Sequence, residues 1–355
     1  MSHHRLLLGL AGVVVALGIG TALGSGQGGK QDESTPPEPP QGLPPVFWPD
    51  DNPYSAEKVA LGRLLYFDLR LSSDETVSCA SCHAPAQAFT DGLPFSLGIL
   101  GQKGGRSAPT VINRAYTTLQ FWDGRARTLE EQAKGPLANP LEMTSIKEEN
   151  QAHTEVVQRV REIPGYAAKF RAVFGEGPIT IDAVAKAIAT FERTVLSGNS
   201  AFDRYKAGEK SALSDSQLRG MKVFFNKAQC DSCHLGFNFS DESFMNIGVG
   251  MDKPNPDLGR FAVSKREADK GAFKTPTLRE VAQTAPYMHD GSMRTLEEVV
   301  EHYNKGGIKN PWLSQQIKPL NLTEQEKKDL VEFLKGLNGS GWQQIKPPTN
   351  EEFPR

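Results

Sequence analysis

The pentapeptides Cys79-Ala-Ser-Cys82-His83 and Cys230-Asp-Ser-Cys233-His234 carry the densest chemistry in the sequence. Each sets two thiols three positions apart, with an imidazole directly behind the second. This is the C-x-x-C-H attachment pattern of a c-type haem. The thiols add to the two vinyl groups, and the adjacent histidine is held close enough to ligate the iron. The two copies use all four cysteines of the chain. A structural zinc site wants four ligands, and Cys2His sets so far apart in sequence serve it poorly. A thioredoxin-like C-x-x-C has no use for the trailing histidine twice. The motifs therefore predict two covalently bound c-type haems, with His83 and His234 on the irons.

What each haem does depends on its other axial position, because a filled one favours electron transfer and an open one admits peroxide or oxygen. No histidine lies between His83 and His153, and Met143 is the only methionine in that stretch. His153 stands among Lys147, Glu148, Glu149, Gln151, Glu155 and Gln158, the composition of a solvated helix face. The first haem is expected to keep an open or water-occupied site. Near the second motif, Met245, Met251, Met288, His289, Met293, His302 and Tyr303 are all available. At 100° per residue from Leu296, Val299, Val300 and Tyr303 share one side, and His302 turns to the edge shared with Glu298. Tyr303 points inward, as a ligand or as ordinary core.

Covalent haem attachment follows export, and the chain begins accordingly. Met1 to Arg5 are polar and basic, Leu6 to Leu23 carry no charge, and Ala22-Leu-Gly24 supplies small residues for cleavage. The apolar run approaches membrane-spanning length. Residues 1–24 thus read as a signal peptide or an N-terminal membrane anchor, and the expected location is the periplasm. With no cysteine there, a lipoprotein is excluded. Residues 25–45, rich in Gly and Pro, read as a flexible linker. The remaining ~310 residues suit two domains, a haem domain over 46–205 and another over 206–340, followed by a C-terminal tail over 341–355. A net charge of −2 gives no footprint for nucleic acid.

Helical periodicity dominates this body. Ile181, Val184, Ala185, Ile188 and Phe191 form one apolar stripe, and Leu296, Val299, Val300 and Tyr303 form another between Thr295 and Gly306-Gly307. Val156, Val157 and Val160 begin a third, which Pro164-Gly165 interrupts. No run of alternating β-branched residues appears. The expected fold is mainly α: two c-type cytochrome domains, each with one covalent haem, packed across a shared interface. A faint repeat agrees with this. Gly62 leads by four residues to Tyr66-Phe67 ahead of the first motif, and Gly220 to Phe224-Phe225 ahead of the second.

Beyond the motifs, the chain resembles the bacterial di-haem cytochrome c peroxidases and their MauG-like relatives from about Pro49 to Gly339. The similarity is carried by Leu61-Gly-Arg-Leu-Leu-Tyr-Phe-Asp68, Arg70-Leu-Ser72, Ala108-Pro-Thr110, Phe121-Trp-Asp-Gly-Arg125, Gln132-Ala-Lys-Gly-Pro136, Thr275-Pro-Thr-Leu-Arg279 and Pro286-Tyr-Met-His-Asp-Gly291. The resemblance implies a peroxidatic haem on His83 and an electron-transfer haem on His234. It implies Gln132 and Glu142 as the distal pair, Pro136 shaping the pocket between them, and Trp122 between the haems. It also implies a calcium ion held partly by the carbonyls of Thr284 and Pro286, although Ser107 stands where the family usually has asparagine. Ile99 stands where many members carry a distal histidine. Tyr303 stands fourteen residues after His289, where methionine is common. On both points the chain is similar to MauG-like proteins, which favours Tyr303 as sixth ligand of the second haem.

The resemblance implies a peroxidase that reduces hydrogen peroxide with electrons from a small cytochrome c or cupredoxin, with a homodimer as one assembly. MauG-like oxidation of residues on a partner protein is the second reading. A non-catalytic di-haem electron carrier is the third, and an open first haem argues against it.

Overall fold

In the computed structural model, which describes residues 34–355, the helices in chain order are α1 (Ala56–Phe67), α2 (Cys79–Cys82), α3 (Leu129–Leu137), α4 (Glu149–Arg161), α5 (Pro164–Phe174) and α6 (Ile181–Glu192). They continue as α7 (Ala201–Lys206), α8 (Asp215–Lys222), α9 (Phe261–Ser264), α10 (Leu296–Asn304) and α11 (Glu324–Lys335). The strands described are two-residue pieces: β1 (Ser197–Gly198) pairs antiparallel with β4 (Ser340–Gly341), and β2 (Phe244–Met245) with β3 (Phe273–Lys274). The fold is mainly α, as the periodicity predicts.

The glycines of the sequence repeat mark two close helix crossings. A Cβ on Gly62 of α1 would lie 1.9 Å from the carbonyl oxygen of Ala187 and 2.9 Å from Phe191 Cβ on α6. A Cβ on Gly220 of α8 would lie 1.9 Å from the Asp329 carbonyl oxygen and 2.8 Å from Phe333 Cβ on α11. In both halves a carbonyl, and an aromatic four residues later, occupy the space a side chain would need. Only glycine permits that approach. Each crossing then buries an aromatic residue of the repeat. Tyr66 joins Leu61, Leu65, Val184, Ile188 and Phe191 in one core, and Phe224 joins Val300, Leu330, Phe333 and Leu337 in the other. Full burial of each such large apolar side chain is worth roughly 1.5–3 kcal/mol.

The stripes at Ile181 and Leu296 become α6 and α10. Thr180 and Thr295 cap them by accepting the backbone N–H of Ala183 and Glu298. Pro164-Gly165 does not interrupt a helix as expected. α4 has already ended, and Pro164 occupies the first turn of α5, where a missing N–H costs nothing.

The stretches read as linker and tail are both tied down. Of the linker 25–45, the described end is pinned to the body. Tyr116 donates to the Pro44 carbonyl at 2.8 Å, and the Asn199 N–H donates to the Gln41 carbonyl at 2.6 Å. The tail 341–355 returns to the first core, where Trp342 is buried edge-on to Phe89. Arg70 donates to the Pro354 carbonyl at 3.0 Å, and Arg63 pairs with Glu352 at 2.8 Å. The signal or anchor over 1–24 lies outside the described residues. Among those described, no helix is long and apolar enough to cross a membrane.

Candidate active site

Each C-x-x-C-H motif folds as a single tight turn. The first is α2, closed by the His83 N–H donating to the Cys79 carbonyl at 3.0 Å. The second is a 3-10 turn from Cys230 to Ser232, with the His234 N–H on the Cys230 carbonyl at 2.9 Å. All four cysteines are free and half-buried. Burial pushes the Cys82 thiol up to about 11 and the Cys230 thiol up to about 12, so both stay protonated. Among the described residues, no three or more His, Cys, Asp or Glu cluster so as to hold a metal by themselves.

Both motif histidines are oriented in the same way. His83 Nδ1 lies 3.3 Å from the Phe89 carbonyl, and His234 Nδ1 lies 3.0 Å from the Phe239 carbonyl. Burial lowers both imidazole pKa values and keeps the rings neutral. A neutral ring that donates from Nδ1 to a carbonyl keeps the Nε2 lone pair for a metal. His83 lines the first cavity with Cys82, and His234 lines the second with Cys230 and Cys233. Cavity, thiol and a buried, neutral imidazole together fit a haem at both places.

The first cavity is polar. Gln132 and Pro136 line it, one helical turn apart on α3. Thr128 starts that helix by accepting the Glu131 N–H at 3.1 Å. The Gln132 amide makes no hydrogen bond to another described residue, so it is available to a ligand. Pro136 has no N–H to offer the Gln132 carbonyl four residues earlier, which loosens the helix at this wall. Glu142 follows on the next turn and lines the same cavity; Asn139 Nδ2 donates to its Oε1 at 2.7 Å. Partial burial raises the Glu142 pKa, opposed by the charge of Arg125 and the Asn139 hydrogen bond. Ile99 is pinned to Glu142 by its N–H, 2.9 Å from the Glu142 carbonyl, and its side chain packs in the first core. His153 proves to be buried rather than solvated, because its Nε2 binds the Lys134 carbonyl at 3.0 Å. It is not in the cavity wall.

Trp122 lines both cavities, its Nε1 donating to the Ser107 carbonyl at 2.8 Å. The second cavity is largely apolar, walled by Phe224, Val249, Leu278, Val299, Val300 and Leu334. Tyr303 faces it, and burial raises its phenol pKa. Its hydroxyl has no hydrogen-bond partner among the described residues. His302 differs from expectation: it is buried, with Nε2 at 2.9 Å from the Ile247 carbonyl, and it is not part of the cavity wall. Met245, Met288 and His289 also line the cavity, whereas Met251 and Met293 do not. His289 stacks on Phe273 at 3.6 Å, and burial holds it down to about 4.

Ser107, Thr284 and Pro286 line this cavity too. A calcium ion there would have neutral oxygens only, and the Ser107 hydroxyl already donates to the Leu93 carbonyl at 3.4 Å. Calcium usually draws on several carboxylate oxygens. The carbonyls of Thr284 and Pro286 accept no hydrogen bond from a described residue, so the Ser107 hydroxyl is the weak point of the set.

Two buried ionisable side chains in the first cavity escaped the sequence reading. Arg114 and Glu192 both line it, and burial pushes the Glu192 carboxyl up to about 8. Its Oε2 has no partner. Eleven positions after Ile181, Glu192 falls on the apolar face of the stripe, and that misplaced charge was the available signal.

Residues 56–211 match the family model described as di-haem cytochrome c peroxidase. The chain is 45% identical over 292 residues to methylamine utilization protein MauG of Methylorubrum extorquens, covering 81% of this chain and 80% of that protein. It is 40% identical over 308 residues to cytochrome c551 peroxidase of Nitrosomonas europaea, covering 85% and 87%. Among solved structures, a MauG-like protein associated with microbial copper homeostasis superposes with a TM-score of 0.78 at 35% identity. That match covers 88% of this chain and 97% of that one. The di-haem peroxidase BthA of Burkholderia thailandensis shares the fold, with a TM-score of 0.72 at 23% identity over 89% of this chain and 93% of that one.

Proposed function

As this chain belongs to the di-haem cytochrome c peroxidase family, an oxidoreductase family, we propose that it is a periplasmic peroxidase reducing hydrogen peroxide to water in its first cavity. The proposed cofactors are two c-type haems, bound through Cys79 and Cys82, and through Cys230 and Cys233. His83 and His234 would ligate the irons through Nε2. Bound haem supplies the redox centre at which the O–O bond is cleaved, and the residues of the chain do the rest.

The observation that carries the reading is the pairing of a free Gln132 amide with a Glu142 carboxyl of raised pKa in one polar cavity. Gln132 orients the peroxide through hydrogen bonds. Glu142, ionised, takes the proton from one peroxide oxygen and returns it to the other as that oxygen leaves, a general acid–base role. Asn139 fixes the carboxylate for the transfer. Pro136 shapes the wall between the two, and Ile99, packed in the core, leaves the cavity to the substrate. Trp122, in the wall of both cavities, relays charge between them. Overall, peroxide takes up two electrons and two protons and leaves as two waters. The electrons come from a small redox protein, a cytochrome c or a cupredoxin.

A second reading is MauG-like oxidation of residues on a partner protein. It is favoured by Tyr303 facing the second cavity, where a phenolate oxygen on the iron would stabilise higher oxidation states. The two readings share the first step and differ in the reductant.

The test is the resting holoprotein. A high-spin ferric EPR signal and direct reaction with peroxide, without prior reduction, are expected. An entirely low-spin spectrum, with peroxide reacting only after half-reduction, would mean that a residue closes the first site.

A further inference from the structure

Six residues line both cavities: Ser107, Ala108, Pro109, Thr110, Arg114 and Trp122. Arg114 is the only charged one. It is 9% exposed, and its Nε–H donates to the Thr110 carbonyl at 2.8 Å. Its Nη1 and Nη2 groups make no hydrogen bond or ion pair with a described residue. A buried guanidinium in this state is strongly unfavourable unless an anion answers it. The nearby carboxyls do not. Glu242 is held by the Thr118 N–H at 2.8 Å and by Lys274 at 3.4 Å, and Glu192, whose Oε2 has no partner, makes no ion pair with Arg114.

The fold itself does not require this cation. The segment from Ala108 to Arg114 is built like the segment from Thr275 to Val281. The Thr110 hydroxyl donates to the Ala88 carbonyl and the Thr277 hydroxyl to the Asn238 carbonyl, both at 2.7 Å. Asn113 and Glu280 then adopt φ of 60° and 59°, and a short 3-10 turn begins at Arg114 in one copy and at Val281 in the other. Where one copy has a valine, the other has an arginine facing both cavities.

We propose that Arg114 is a shared clamp whose terminal N–H groups bind propionate carboxylates of the haems seated in both cavities. It thereby raises the reduction potentials of both. Arginine suits this role because its rigid fork offers several donors to carboxylates on more than one side. The proposal rests on the two-haem reading above. It makes Arg114 a positioning residue that couples the two sites electrostatically without touching peroxide.

The experiment is a spectroelectrochemical titration of the holoprotein and its R114Q and R114K variants, with haem counted by pyridine haemochrome. In R114Q, with two haems retained, both one-electron equilibria should move toward Fe(III) by about tenfold, or 59 mV each. R114K keeps the charge and loses the fork, so both should move the same way by about threefold. A shift at one haem alone, no shift, or an upward shift overturns the clamp. So does a lowered melting temperature with unchanged potentials, which would assign Arg114 to packing. If R114Q does not accumulate with both haems, R114K decides by the same criteria. A parent protein without two haems would overturn the two-haem reading itself, a distinguishable failure.

Discussion

Glu142→Gln is expected to lower peroxide-dependent turnover by about 10²–10⁴-fold, the usual contribution of a general acid–base group, while both haems stay bound. Glutamine keeps the shape and still accepts the Asn139 hydrogen bond through its carbonyl oxygen, but it cannot carry a proton. The pH profile checks the assignment independently. Burial raises the Glu142 pKa against the pull of Arg125 and Asn139, and the ionised form is the one that takes the first proton. Turnover of the parent should therefore fall as pH drops through a value above the ordinary carboxylate range. The variant should lose that acid limb. Unchanged turnover, with the limb intact, would make Glu142 a bystander and move the chemistry to another group of the cavity.

Tyr303→Met is expected to raise the reduction potential of the second haem by a hundredfold or more in the one-electron equilibrium, about 120 mV. An anionic oxygen ligand stabilises Fe(III), whereas a thioether favours Fe(II). Tyr303 is the proposed ligand because it faces the second cavity from α10 with no hydrogen-bond partner for its hydroxyl among the described residues. Tyr303→Phe should leave the position open or water-bound, with altered low-spin EPR features. Met245 and Met288 share that wall, and either as true ligand would give the parent a high potential that Tyr303→Met leaves in place.

The local structure of this chain was legible where it depended on short spacing. The one-turn C-x-x-C-H spacing, the α6 and α10 stripes and the Thr295 boundary are all short-range patterns, and each forms as read. The repeat was legible too, but its reason was not. Gly62 and Gly220 matter because the Ala187 and Asp329 carbonyls approach them from more than a hundred residues away, and no local pattern shows that. His153 and His302 failed in the same manner. Each sits on a helix face that reads as solvated or marginal, and each is buried because a distant carbonyl, of Lys134 or Ile247, accepts its Nε2–H. Residues 40–44 and Trp342 looked like linker and tail because their composition is polar or sparse. They are fixed by hydrogen bonds and packing against residues remote in sequence. The proposed distal pair was legible only through family resemblance. Gln132 and Glu142, taken alone, read as solvated positions.

The central claim, that this chain carries two covalent haems, is tested most directly by intact mass spectrometry of mature protein from a host with c-haem maturation. The mass should exceed that of the polypeptide by two haems, Cys79→Ala/Cys82→Ala and Cys230→Ala/Cys233→Ala should each lose one, and the pyridine haemochrome should be c-type. A mass accounting for a single haem, for zinc or for the bare polypeptide would contradict the account.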